Sequence, residues 1–155
     1  MPQAPFYPHD APLPGVRTSH RFLLLLTELN RSWRMRLDQR LKPLGISLAS
    51  GGVLWALAVR GRLSQIQLAR HIGIEGSSLV RQIDKLEAEG HLRRIQNPED
   101  RRANLVELTE TGNTLAASVI AAGVAVRDEL FEGIPDVDLE TTMRTLHLLR
   151  TRLPD

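Results

Sequence analysis

A mainly α-helical fold with one small antiparallel β-hairpin is predicted by three features of the sequence. Apolar residues recur at helical spacing through most of residues 18–153. Between residues 64 and 90, two short amphipathic segments meet at a glycine, the pattern of two helices joined by a turn. Two strand-like runs follow directly, 91–96 and 104–109, separated by Asn97-Pro98-Glu99-Asp100-Arg101-Arg102-Ala103, whose Pro, Asn and Asp mark a turn. A helix pair followed by such a hairpin is a winged helix-turn-helix, a device for entering duplex DNA.

The elements follow in order. Residues 1–16 hold five prolines and no periodicity, so an irregular arm is expected, either idle or wrapped on a partner. A long helix should start at Thr18 or Ser19 and run to about Leu41, with Phe22, Leu25, Leu26, Leu29, Trp33, Leu37 and Leu41 as its apolar face. Arg31, Arg34, Arg36 and Arg40 alternate around the remainder, and Lys42-Pro43-Leu44-Gly45 stops the helix. A helix this long exceeds what the small motif can cover, and a second copy of the chain is the economical partner.

Ser47 can cap the next helix, which carries Leu48, Val53, Leu54, Leu57 and Ala58 and ends before Gly61. Trp55 is expected in the core or between helices, and Gly51 and Gly52 suit close backbone approach. Ser64 with Gln67 three residues on forms a capping box, so that the two side chains satisfy each other's orphan amides. Ile66, Ala69, Ile72 and more weakly Leu68 should supply the apolar contacts of that helix, and Gly73 allows the reversal after it.

The following helix opens near Gly76 or Ser77. Leu79, Ile83, Leu86 and Gly90 fall on one side of it, whereas Ser77, Arg81 and Lys85 point the other way, flanked by Ser78 and Gln82. An apolar back seats the helix while the front offers donors to base edges and phosphates. In the hairpin, Asp100 is expected to pair with Arg102 and stiffen the tip, leaving Arg101 to project into a minor groove.

After the hairpin, Thr109 can cap a helix from Glu110 to about Phe131, with Leu115, Val119, Ala122, Val126 and Leu130 in line. Gly133-Ile134-Pro135 breaks it, and a last helix from Val137 or Asp138 carries Leu139, Met143 and Leu146. These helices are more apolar than solvated tails need to be. The expected organisation is an arm at 1–17, an N-terminal dimerisation helix at 18–46, the winged helix-turn-helix at 47–109 and C-terminal dimerisation helices at 110–155.

Charge is polarised along the 155 residues: seven Lys/Arg against three Asp/Glu in 1–59, nine against six in 60–102, and four against nine in 103–155. A basic front and an acidic rear suit docking on a polyanion by one face. The chain has no cysteine, which excludes a disulfide scaffold, a thiol sensor and a thiolate metal site. His20, His71, His91 and His147 are scattered without metal-ligand spacing, and no serine or threonine sits in a nucleophile elbow. Neither an enzyme nor a metal or other cofactor is therefore expected. No run of 18 apolar residues exists and the N-terminus lacks an export pattern, so a cytoplasmic protein without a membrane association is expected.

RSWRMRLDQRLKPLGIS at 31–47, LSQIQLARHIGIEGSSLVRQIDKLEAEGHLRR at 63–94 and NPEDRRANLVELTETG at 97–112 resemble the MarR family of transcriptional regulators, and within it the SlyA-like branch. The resemblance covers about residues 18–153. Its most specific piece is the wing pattern of Asp, any residue and Arg, followed by Leu-Thr and a glycine three beyond.

The resemblance implies a homodimer with interleaved terminal helices and one winged helix-turn-helix per subunit, bound to a near-palindrome. It implies that Arg81 enters the major groove, that Arg101 enters the minor groove, and that Asp100 and Arg102 hold the wing. It further implies a small aromatic carboxylate or phenolic effector between the dimerisation helices and the winged domain, near Arg31, Arg34 and Arg81 with Trp33 adjacent. Where SlyA-like proteins commonly have a tryptophan early in the second helix, this chain has Gly51. The expected function is that of a dimeric, sequence-specific repressor or anti-silencer that binds double-stranded DNA. The alternative is a non-specific architectural DNA binder, which would hold any duplex with similar affinity.

Overall fold

Short polar caps and glycines divide this chain into six helices and three strands among the residues described, 17–98 and 104–153, in the computed structural model. Helix α1, Thr18–Leu41, ends in a 3-10 turn over Lys42–Leu44, where Pro43 forbids continuation and Gly45 takes φ 69°. Helix α2, Leu48–Arg60, starts at Ser47, whose hydroxyl accepts from the Ser50 amide at 3.1 Å. Strand β1 is only Leu63–Ser64; helices α3, Gln65–Ile72, and α4, Gly76–Ala88, follow it. Strands β2, Leu92–Gln96, and β3, Asn104–Leu108, lead into α5, Glu110–Phe131, and α6, Asp136–Arg150.

The expected two-stranded hairpin is a three-stranded antiparallel sheet in the order β1-β3-β2. Leu63 pairs with Val106 and Leu92 with Leu108, so β3 is the central strand. A two-residue strand has no periodicity to reveal it, and its existence depends on β3 offering a free edge.

One core joins the helices to the sheet. Leu41, Leu54, Leu68, Leu79, Ile83, Leu86 and Val106 are all buried in it, and Ala116 and Val119 carry it past residue 109 into α5. Two expectations about side chains are corrected. Ile66 is 69% exposed, whereas Leu68 is fully buried. An eight-residue helix buries one stripe, here Leu68 with Ala69 and Ile72 packed against the core, and Ile66 stands about 200° from Leu68 at roughly 100° per residue. Trp55 is 49% exposed, because Val53, Leu54, Ala56 and Leu57 fill the buried side of α2.

The start of α5 is fastened to the turn after α4. Thr109 and Thr111 both donate their hydroxyls to the Gly90 carbonyl, at 2.7 and 2.9 Å, and the Thr109 amide donates to the His91 carbonyl at 3.1 Å. A Cβ on Gly112 would lie 1.9 Å from that same His91 oxygen. The glycine three beyond Leu-Thr is therefore required by close approach of two backbones.

Opposite the core, α1 leaves Leu23, Leu24, Leu25, Leu26 and Leu29 at least 40% exposed, and α6 buries no residue. Among the described residues, α6 makes no more than marginal contact with any other element. No single described helix is long and apolar enough to cross a membrane, and no group of three or more His, Asp or Glu there could hold a metal ion.

Candidate nucleic-acid interface and adjoining cavity

The local sequence places the helix-turn-helix without help from elsewhere. Ser64 and Gln67 form the expected capping box, with the Ser64 amide donating to Gln67 Oε1 at 2.8 Å and the Gln67 amide to Ser64 Oγ at 3.3 Å. Gly73, with φ 69°, turns the chain into α4. The back of α4 is sealed by Leu79, Ile83 and Leu86, each no more than 1% exposed. Its front leaves Ser77, Arg81 and Lys85 exposed and Ser78 and Gln82 half-buried.

These five front residues differ in how free they are. Among the described residues, Arg81 makes no hydrogen bond or ion pair. Lys85 lies 3.8 Å from Glu89, an exposed pair one turn along that yields readily to a phosphate. The carbonyl of Gln82 is engaged, accepting from the buried Ser50 hydroxyl at 2.8 Å.

Two ionic clusters with no counterpart in the sequence reading hold the wing, one against α4 and the other across the sheet to Arg62. Arg94 on β2 donates its two terminal nitrogens to Asp84 and Glu87 of α4, and its amide donates to Glu87 at 3.1 Å. The Asp84 hydrogen bond above all raises the affinity of this guanidinium for its proton, so it is charged at every accessible pH. On β3, Glu107 accepts from Arg93 Nε and Arg62 Nε, each at 2.5 Å. Those hydrogen bonds, Arg93's first, hold its carboxyl below the usual carboxylate range against the opposing effect of burial. Arg93 and Glu107 are direct cross-strand partners, a relation legible once Leu92 is set opposite Leu108. The Arg94 and Arg62 contacts cross between elements and leave no spacing signature. Asp100, Arg101 and Arg102, the expected wing tip, lie outside the described residues.

A cavity of about 370 Å³ opens between α1, α2 and α5. Its aromatic surfaces are Trp33 and Trp55, its close-packed floor includes Gly51 and Gly52, and its cation is Arg127. Of the residues expected around an effector, Trp33 lines it, whereas Arg31, Arg34 and Arg81 do not. Arg31 and Arg34 are exposed along α1 on either side of Trp33. Arg127 was missed because α5 read as an interface helix, and only the packing of α5 on α2 brings it to this opening. A Cβ at residue 51 would meet Cδ1 of the buried Leu41 at 2.9 Å, so a side chain there requires Leu41 to move. Trp55, one turn later, supplies the indole.

Comparison with known proteins agrees with this architecture. The MarR family model matches residues 46–103. The crystal structure of transcriptional regulator PA3341 is 36% identical, with a TM-score of 0.78 over 84% of this chain and 96% of that one. A MarR-family transcriptional regulator from Rhodococcus sp. RHA1 is 28% identical, with a TM-score of 0.74 over 86% of this chain and 94% of that one. CouR from Rhodococcus jostii RHA1, solved bound to p-coumaroyl-CoA, is 29% identical, with a TM-score of 0.75 over 84% of this chain and 92% of that one. At 36% identity over the aligned region to a regulator that it spans almost end to end, and with a reading helix and wing root in the places described, the chain belongs to the MarR family of dimeric, DNA-binding transcriptional regulators.

Proposed function

We propose that this chain is a SlyA-like repressor or anti-silencer that binds a near-palindromic operator and is released by a small aromatic carboxylate or phenolic compound. The observation that carries the first half is the front of α4: Arg81 is exposed and without a partner among the described residues, on a helix whose back is sealed into the core. Ser77, Ser78, Gln82 and Lys85 join it in the major groove, and Arg101, from beyond the described residues, takes the flanking minor groove with Asp100 and Arg102 holding it. Two-fold symmetry then sets the two reading helices about 34 Å apart on one face of the duplex.

The exposed leucines of α1 and the unburied α6 support a dimer interface built from residues 18–46 and 110–155, since such faces need a partner that this subunit does not supply. The cavity supports the effector class. Pockets for small ligands run from about 300 Å³ upward, and about 370 Å³ between two indoles and one guanidinium accommodates one aromatic acid or acyl group. The ligand of CouR belongs to the same aromatic class. Arg127 would take the carboxylate in place of Arg31 and Arg34.

The test is the ratio of affinities for a selected operator and for random duplex at fixed salt. The wild-type protein should favour its operator by roughly 10³-fold or more. Arg81→Ala should lose about 1–3 kcal/mol at the operator and little on random DNA. An unaltered ratio in that variant would remove Arg81 as the reader, and a ratio near unity in the wild type would leave an architectural DNA binder.

A further inference from the structure

We infer that Ser47 and Ser50 pin Gln82 in a single amide orientation, so that it reads DNA as a hydrogen-bond donor only and rejects cytosine beside the base read by Arg81. This rests on the proposed placement of α4 in the major groove.

Ser50 is a polar side chain with no exposed surface, and a buried hydroxyl has to place its proton on an acceptor. Ser47 Oγ already accepts from the Ser50 amide at 3.1 Å, which leaves its own proton for Ser50 Oγ at 3.1 Å. Ser50 then has one proton to give, and Gln82 Oε1 stands 2.8 Å away. Ser47 Oγ also lies 3.5 Å from that oxygen, but its one proton is committed to Ser50, so the relay from Ser47 reaches Gln82 through the Ser50 hydroxyl. The electrostatics select the same orientation. Ser47 and Ser50 form the first turn of α2, where unpaired amides carry the positive end of the helix dipole and attract an amide oxygen in preference to its NH2.

With its oxygen held inward, Gln82 has only its NH2 left for a ligand. A free glutamine recognises adenine by donating to N7 and accepting from N6, and that bidentate reading needs the acceptor that Ser50 occupies. Two donors alone suit the acceptors of guanine or the O4 of thymine, and oppose cytosine, whose major-groove edge offers the N4 donor. Gln82 is next to Arg81 in sequence and half-buried at the edge of the exposed front, so the two side chains address neighbouring bases. In this arrangement a residue of α2 that never touches DNA sets the specificity of one on α4.

Selection of bound duplexes from a randomised library by the full-length dimer, followed by competition titrations, tests this directly. The wild type should reject cytosine about tenfold at one position in each half-site, next to the guanine assigned to Arg81. Gln82→Glu turns an acceptor outward and should move that position to cytosine or adenine. Ser50→Ala frees the amide to rotate and should admit adenine there, with the Arg81 position unchanged in both variants. The inference is overturned if the wild type tolerates cytosine at every neighbouring position, or if either variant selects the wild-type sequence. Because Gln82→Glu alters a half-exposed site and fills no buried space, a Ser50→Ala protein that fails to fold leaves the decision to it. A wild type that selects no sequence at all sinks the proposed function together with this inference. Selection of the Arg81 guanine with no shift in the variants sinks this inference alone.

Discussion

Replacing Gly112 by alanine adds one methyl group where the start of α5 crosses the turn after α4. Its Cβ would stand 1.9 Å from the His91 carbonyl oxygen and 2.9 Å from the carbonyl carbon. Relieving that overlap to an ordinary 3.4 Å contact requires one backbone to move by about 1.5 Å. The movement strains three hydrogen bonds at once: the Thr109 and Thr111 hydroxyls to Gly90 at 2.7 and 2.9 Å, and the Thr109 amide to His91 at 3.1 Å. At about 1 kcal/mol net for each bond, with overpacking of about 1–3 kcal/mol and a helix-propensity gain of at most about 1 kcal/mol, the expected loss is about 3–5 kcal/mol. That is a large part of the roughly 5–15 kcal/mol that holds an ordinary domain together. Urea unfolding followed by the fluorescence of Trp33 and Trp55, at one fixed protein concentration, should show a much lower midpoint. Gly123→Ala on the same helix, where a Cβ meets nothing within 4 Å, is the control and should change stability by about 1 kcal/mol or less. An unchanged midpoint and slope for Gly112→Ala would refute the close-approach account of this glycine.

Two further outcomes follow from the wing root and the cavity floor. In the folded chain Glu107 titrates below the usual carboxylate range because Arg93 and Arg62 hydrogen-bond its ionised form, whereas the unfolded chain takes up the proton at about pH 4.3. The stability it contributes is therefore complete above that pH and is lost as the pH falls through the lower folded value, so the advantage of wild type over Glu107→Gln in unfolding experiments should shrink on acidification below about pH 4.3 and be constant near neutrality. Gly51→Trp, which places the SlyA-like tryptophan in this chain, drives a Cβ to 2.9 Å from the buried Leu41 and 3.5 Å from Val119. It should cost about 1–3 kcal/mol or more in thermal unfolding, and a variant as stable as wild type would show that the floor can open.

The features legible in the sequence are those encoded over a few consecutive residues. The Ser64–Gln67 capping box, the stop at Pro43, the reversal at Gly73 and the two-sided pattern of α4 each depend on neighbours within one or two turns, and each was read to within a residue or two. Arg94 with Asp84 and Glu87, Arg62 with Glu107, and Ser50 with Gln82 join residues seven to 45 positions apart, and no period connects them. Ile66 shows the converse error: its apolarity placed it inside, but burial is decided by which stripe of a helix finds a partner, and Trp55 stands between helices at the cavity and not in the core. Arg31 and Arg34, the cations expected around an effector, do not line the cavity. Arg31 and Arg34 are near Trp33 in sequence, whereas Arg127 reaches the cavity only because α5 packs on α2.

The cavity and the reading helix are mechanically adjacent through two joints. Helix α5 lines the cavity with Val119 to Arg127 and is fastened at its start to the turn after α4 by three hydrogen bonds and a glycine without clearance, so that end of α4 moves only if α5 moves with it. Helix α2 lines the cavity with Leu48, Gly51 and Gly52, and it holds the middle of α4 through the shared core and the hydrogen bond from Ser50 to Gln82. A ligand that separates α2 from α5 therefore pulls on both joints, and the body of α4 follows α2, with which it shares the core, while its C-terminal end is held to α5. Under the proposed function, such a displacement would tilt α4 about its C-terminal end and carry Arg81 and Gln82 off the bases assigned to them, while Arg94 drags the wing in the same direction through Asp84 and Glu87. On that proposal two subunits engage the operator at once, so a small tilt in each would be enough to lose simultaneous contact with both half-sites.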